Sequence, residues 1–412
     1  MLFLFAALTG SVGAFAQESV TLHEALRLTL ERNPGLQGHR FNLNAAAARR
    51  EIAAQRPAWE VGVDVENIFG TGRLSAFDDT EVTLRLGTVL ELGGKRSGRI
   101  ALADSERSLT AIGQDAERLD LLADATRQFI AALRAQEERK RAQRAIDLAT
   151  RTLSLVKARV GAGRAGSLEQ HNAELAVVHA VGDAVQSDAE VRAAWAQLSA
   201  AWGEAPDASG TVIGDLFALP PTGDYAALAA LLESNPDLIR FATQRRVQEA
   251  QLRLAVSSES PDITISAGLR RLQNARAQAA VLSASIPLGS AARSYARQDE
   301  ARNLLSATGY AEAAARNTLR ATLFAIHTRL VQKRSHVEMI RDKAFPLADT
   351  AVRAAEDGFR AGRFSLLELA AAQKQSLDLQ KEAIAAAAEF HLLLLELERL
   401  TGTAAPSPEI KP

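Results

Sequence analysis

None of the chain's 12 prolines falls between Ala58 and Ala205, and within that span Lys95 to Arg159 contains no helix breaker stronger than Gly113. Apolar and small residues recur there at heptad spacing: Leu102, Leu109, Ala116, Ala123 and Ile130, with Ile112, Leu119 and Leu133 interleaved. The charged run Glu137-Glu138-Arg139-Lys140-Arg141 follows, and the pattern resumes in a new phase at Ile146, Ala149, Leu153, Val156 and Val160. This predicts one coiled-coil-like helix with a phase slip. At 1.5 Å per residue, roughly 60 residues make a rod of about 90 Å, which ordinary globular domains rarely hold.

The rod belongs to a pattern that occurs twice. Ala25-Leu26…Leu30-Glu31-Arg32-Asn33-Pro34-Gly35-Leu36 reappears as Ala227-Leu228…Leu232-Glu233-Ser234-Asn235-Pro236-Asp237-Leu238, 202 positions later. Val89-Leu90-Glu91-Leu92-Gly93 resembles Ser285-Ile286-Pro287-Leu288-Gly289, 196 positions on. Ala162-Gly163-Arg164…Leu168-Glu169 matches Ala361-Gly362-Arg363…Leu367-Glu368, and Leu198 and Gly203 match Leu397 and Gly402, all at an offset of 199. Ordered matches with small drifts predict a tandem duplication. Repeat 1 covers 17–206, with a hairpin at about 58–91, a long helix over 95–159, a tip, and a return helix over 168–202. A linker over 207–223 follows. Repeat 2 covers 224–405, with a hairpin at about 261–288, a long helix over 291–357 that Pro346 interrupts, a tip, and a helix over 365–401. The tail is 406–412.

Both hairpins alternate. Trp59, Val61, Val63 and Val65 interleave with Glu60, Gly62, Asp64 and Glu66, and Val82, Leu84 and Leu86 with Glu81, Thr83 and Arg85. In the second repeat Ile263, Ile265, Ala267 and Leu269 oppose Thr264, Ser266, Gly268 and Arg270, and Leu282, Ala284 and Ile286 oppose Ser283 and Ser285. Period-two alternation gives each strand one apolar and one polar face. A small soluble sheet is the commoner source of that pattern, but no neighbouring segment is available to cover the apolar side. The strands approach the 9–11 residues that span a bilayer, so Trp59, Val61, Val63, Val65, Val82, Leu84, Leu86, Ile263, Ile265 and Leu269 are expected to face lipid. Phe69, Phe77 and Trp59 suit interfacial girdles. Four strands cannot close a barrel, so several chains must pool theirs.

Composition excludes other classes. Lys plus Arg number 48 against 49 acids, giving a net charge of −1 and no field that calls for nucleic acid. No uninterrupted apolar run reaches 18 residues. Residues 1–16, with the run Leu2–Leu8 and Ala14-Phe15-Ala16, read as a signal peptide, although no Lys or Arg precedes the run. There is no Cys, hence neither disulfide nor lipid-bearing thiol. Gly161-Ala162-Gly163-Arg164-Ala165-Gly166 is a formal G-x-G-x-x-G, but a helix precedes it where a dinucleotide site needs a strand. It reads as a helix-hairpin turn. The seven His are scattered, with His171 and His179 too far apart to share a metal. No catalytic residue, cofactor or metal site is expected.

In element order the chain resembles TolC-type outer-membrane efflux proteins. The resemblance rests on Leu22-His23-Glu24-Ala25-Leu26…Asn33-Pro34, Leu92-Gly93-Gly94-Lys95-Arg96, Phe345-Pro346, and Phe359…Gly362…Ser365-Leu366-Leu367-Glu368. Its compact length and Glu91-Leu92-Gly93-Gly94-Lys95-Arg96 look most like the outer-membrane components of cobalt–zinc–cadmium-type systems. The resemblance implies a mainly α fold with a small β part, long antiparallel helices forming a periplasmic α-barrel, and four transmembrane strands per chain. It further implies a homotrimer in the bacterial outer membrane with a large periplasmic portion, docking a periplasmic adaptor (membrane fusion) protein that couples it to a proton-driven inner-membrane pump. The tips, Gly161, Gly163 and Arg164 with Gly362 and Arg363, are the expected docking points. Glu368 falls where such proteins place an acidic residue at the periplasmic constriction, and the next acidic position of the family is Ala371 here. A solvated Glu at a helix start is the plainer account of Glu368. The expected function is a passive export duct, for heavy-metal cations; ducts for drugs or secreted protein, or a soluble periplasmic coiled-coil scaffold, remain alternatives.

Overall fold

A computed structural model of the chain describes residues 18–74, 77, 79–204 and 210–402. The expected signal peptide at 1–16, the linker's first residues and the tail at 406–412 lie outside them. The chain forms two compact units. One combines residues 1–37, 118–232 and 321–412, and the other combines 38–117 and 233–320.

Helices dominate. α1 (Leu22–Arg32) opens on a capping box in which Thr21 and Glu24 satisfy each other's backbone N–H groups. It ends at Asn33, which is extended because Pro34 disfavours helical geometry in the residue before it. Helix then restarts as α2 (Pro34–Ala54), with the Asn33 Oδ1 accepting from the N–H groups of Gly35 and Leu36 at 2.8 and 3.3 Å. α5 (Tyr225–Leu231) and α6 (Pro236–Ser257) meet in the same way, Asn235 capping Asp237 and Leu238. An Asn cap followed by Pro at the first helical position is a start signal that both sites use.

α3 (Lys95–Gly161) runs 67 residues without a break, passing through Gly113. α4 (Ser167–Ser199) continues as a 3-10 turn to Trp202, where the sequence had suggested uninterrupted helix. In the later half, α7 (Ser290–Met339) and α8 (Phe345–Arg360) are joined by a π-helical turn, Ile340–Ala344. The interruption therefore precedes Pro346, which lacks an N–H for the preceding turn and whose ring crowds it. α9 (Leu366–Thr401) closes the series.

Among the described residues, six strands form two sheets. β2 (Glu60–Glu66), β3 (Glu81–Leu90), β5 (Ile263–Leu272) and β6 (Ala277–Ser285) make an antiparallel sheet in the order β2-β3-β5-β6. The other two, β1 (Glu18–Thr21) and β4 (Gly210–Ile213), pair in parallel and were not expected. Each has only four residues, too few to show a period. β4 is held on its second edge by a side chain: Gln136 donates to the Val212 carbonyl at 3.0 Å and accepts from its N–H at 2.8 Å. Val20 and Val212 enter a core with Phe129, Trp195, Leu198 and Trp202.

Candidate functional site

The four-stranded sheet has two chemically opposite faces. In an antiparallel ladder, residues directly opposite share a face. Val61 lies opposite Leu86, Val63 opposite Leu84 and Val65 opposite Val82; across the next seam Leu84 meets Leu269 and Leu86 meets Ala267, and then Ala267 meets Leu282. One face is thus apolar across all four strands apart from Thr88, Arg271 and Gln278, and it is open: Val61 is 72% exposed, Leu84 55% and Leu282 82%. Trp59, Val63, Val65, Val82, Leu86 and Leu269 are exposed as well. Ile263 and Ile265 sit on that face but are half-buried. Apolar patches of this extent are rare on soluble monomers.

The opposite face carries most of the charges. Arg270 donates to Glu81 at 2.7 Å and to the Thr83 hydroxyl at 2.9 Å, and it lies 3.0 Å from Glu66, so one guanidinium bridges β2, β3 and β5. Arg85 pairs with Asp64 at 3.2 Å, and the Ser266 and Ser283 hydroxyls meet at 2.7 Å. Alternation located these faces. The Arg270 clasp depends on register across strands far apart in sequence, which alternation does not report.

The Glu91-Leu92-Gly93-Gly94-Lys95-Arg96 run ties the sheet to its helices. Gly93 and Gly94 adopt φ of 73° and 77°, and a Cβ on Gly93 would lie 2.6 Å from both the Ser257 carbonyl and the Ser260 side chain. Only glycine fits there. Lys95 donates to the Ser260 carbonyl at 2.8 Å and to Asp262 at 2.6 Å, and Asp262 also takes the Leu92 N–H at 3.2 Å. Arg96 caps the end of α2 through the Ala54 carbonyl. Arg99 binds Glu91 with both arms of its guanidinium, a pairing that raises the Arg99 pKa and holds its charge.

The two tips belong to the other unit. In each, a left-handed glycine turns the chain: Gly163 at φ 69° and Gly362 at φ 75°. The N–H of the following arginine returns to a carbonyl five residues back, Arg164 to Arg159 and Arg363 to Gly358, both at 2.8 Å. Gly161 is the last residue of α3. Arg164 and Arg363 are exposed. The tips differ beneath the turn. Arg159 donates to the Phe359 carbonyl at 3.1 Å and lies over the Phe359 ring at 4.4 Å, joining one tip to the other. Phe359 is wholly buried with Val156, Ala173, Ala355 and Leu369.

Glu368 is exposed and serves its own helix. Its carboxylate accepts from the Ser365 N–H at 2.7 Å and hydroxyl at 2.8 Å, while Ser365 caps the Glu368 N–H. These bonds, the backbone one foremost, hold its pKa below the usual carboxylate range. Glu169, its counterpart in the other tip, has Gly166 where Ser365 would be, and gains no such partner.

Residues 25–204 match the family model described as outer membrane efflux protein. Over 409 residues, 96% of this chain and 93% of the relative, the sequence is 27% identical to the cobalt-zinc-cadmium resistance protein CzcC of Cupriavidus metallidurans. The chain is thus similar to outer membrane efflux proteins. Solved structures show the same fold. The outer-membrane channel OprN superposes with a TM-score of 0.78 at 17% identity, covering 93% of this chain and 90% of that one. The outer membrane protein VceC of Vibrio cholerae gives 0.76 at 16% identity, covering 93% and 96%. No described helix of this chain is long and apolar enough to cross a membrane, a finding that leaves the open sheet face unaffected.

Proposed function

We propose that this chain is the outer-membrane duct of a tripartite efflux system, in which three copies pool their four-stranded sheets into one closed barrel. The open apolar face carries this reading. A sheet with that face in water and two unpaired edges is costly, whereas lipid outside and partner strands at the edges remove both costs. The charged face, with Arg85, Arg270, Glu66 and Glu81, then lines a polar passage. We read the paired element order, with the Asn-Pro starts and glycine tips in each half, as a tandem duplication that supplies two hairpins per chain.

Conduction is passive. Among the described residues no three His, Asp or Glu side chains converge to hold a metal ion, and the chain acts as a conduit driven by a proton-coupled inner-membrane pump. The turns at Gly161, Gly163 and Arg164 and at Gly362 and Arg363 dock the periplasmic adaptor. Glu368, kept ionised by its capping bonds, adds negative charge near the tip, where it favours cations. Kinship with CzcC supports heavy-metal cations as cargo.

A deletion strain tests the cargo: growth in cobalt, zinc and cadmium salts should fall and return with the wild-type chain. Unchanged metal tolerance alongside new drug sensitivity would reject metal cargo and favour drug export. Fractionation tests the duct itself. A heat-resistant oligomer in the outer membrane is expected, and a soluble periplasmic monomer would refute the reading.

A further inference from the structure

The π-helical turn does more than absorb Pro346. It borders a cavity of about 620 Å³ between α3, the segment after β4, the turn itself and α9. The volume suits a small organic molecule. Its floor is apolar, built by Phe217, Ile340, Phe345 and Ile384. Its walls bring Lys140, Arg141, Arg144 and Arg341 against two acids, Glu137 and Asp215. π-turns recur at functional sites because the widened turn displaces side chains from the helical lattice.

The cations are not idle, but they are incompletely used. Lys140 pairs with Glu137, Arg141 with Glu138, Arg144 with Asp349 and Arg341 with Asp342, at 2.7 to 3.1 Å. A guanidinium has five N–H donors, and these contacts leave several free on each arginine. Asp215 is engaged as well, its Oδ1 accepting the Phe217 N–H at 2.8 Å. One acceptor has nothing: the Oε1 of Gln380, in the cavity lining, is buried without a hydrogen-bond partner. A buried carbonyl oxygen left unpaired calls for a donor.

We infer that this cavity is a ligand site for a small amphipathic organic anion, with its hydrocarbon body on the Phe217–Phe345 floor, its acidic head at Arg144 and Arg341, and an N–H or O–H at Gln380. The cavity lies within one unit of one chain, so the site stands or falls separately from the duct.

The probe is 8-anilinonaphthalene-1-sulfonate, which carries an aromatic body, an anilino N–H and a sulfonate. It is titrated into the full chain reconstituted in nanodiscs and compared with N-phenyl-1-naphthylamine, which lacks the sulfonate. The expected result is one saturable site per chain, about tenfold weaker for the neutral compound and about tenfold weaker in Arg341→Gln. Arg341 is half-exposed, so that variant keeps the fold. Ala383→Phe, which fills the cavity, should abolish the site. Equal binding of the two compounds, an unchanged isotherm in Arg341→Gln and Ala383→Phe, or no saturable binding because another copy covers the cavity, would each overturn the inference.

Discussion

Leu86 and Arg85 are neighbours in sequence and point to opposite sides of the sheet, which makes them a paired test of which side meets lipid. β3 has ten residues and Leu86 is the sixth. At about 3.3 Å per residue the strand is roughly 33 Å long. Tilted about 45°, it covers a depth of some 23 Å, close to the apolar band of a membrane barrel. Leu86 then sits near the midplane, where an arginine on the lipid face costs about 2–4 kcal/mol. A loss near 3 kcal/mol lowers the folded-to-unfolded equilibrium constant by about two orders of magnitude. Arg85→Gln removes only an exposed ion pair with Asp64, worth less than about 1 kcal/mol. Urea unfolding from lipid vesicles, followed by tryptophan fluorescence, measures both. If the face were simply open to water, Leu86→Arg would change stability by about 0.5 kcal/mol or less. Equal, small effects of the two substitutions would refute the assignment of faces.

Other positions give independent expectations. Phe359→Ala should cost about 3–5 kcal/mol, because a wholly buried ring is lost and Arg159 loses the surface it lies on; thermal unfolding reads it, and a loss under about 1 kcal/mol would contradict the packing of the tips. Lys95→Met should cost about 1.5–3 kcal/mol by stranding Asp262 and the Ser260 carbonyl, whereas Arg96→Met, which removes one exposed cap, should cost less. His391 is mostly buried and burial lowers its pKa, against a smaller opposing effect of its bond to the Leu216 carbonyl. Its neutral form is the folded one, so stability is full above the unfolded value of about 6.5 and falls as pH drops from there towards the depressed native value. Denaturant titrations across that window should show a flatter pH dependence in His391→Gln, and an unaltered slope would remove His391 from the acid response.

The features that could be read from sequence were those that report local geometry directly. Alternation from Val61 to Val65 and from Ile263 to Leu269 names a face without knowing the partner strand, and Asn33-Pro34 and Asn235-Pro236 announce helix starts through cap and ring alone. Gly163 and Gly362 mark tips because the turn needs a left-handed residue. What escaped depends on chain segments meeting. The β1–β4 pair is too short to show a period, and its stabiliser, Gln136, lies on a helix with nothing to distinguish it from other surface amides. Arg270 joins Glu66 and Glu81 only after three strands are in register. Pro346 was visible as a breaker, but the π-turn before it, and the cavity beside it, are tertiary results. Glu368 carried two candidate roles, and the capping box accounts for the bonds it makes.

The sheet order leaves β2 and β6 with one neighbour each among the described strands. If copies join edge to edge, every seam sets the β2 edge of one chain against the β6 edge of the next, and each chain takes part in two seams. A lesion on either edge is then inherited by intact neighbours. In cells carrying a normal and a defective allele, edge mutants should poison mixed assemblies and behave as dominant. Chains unable to enter an assembly at all should behave as recessive, so genetics alone can separate damage to the seam from damage to the chain.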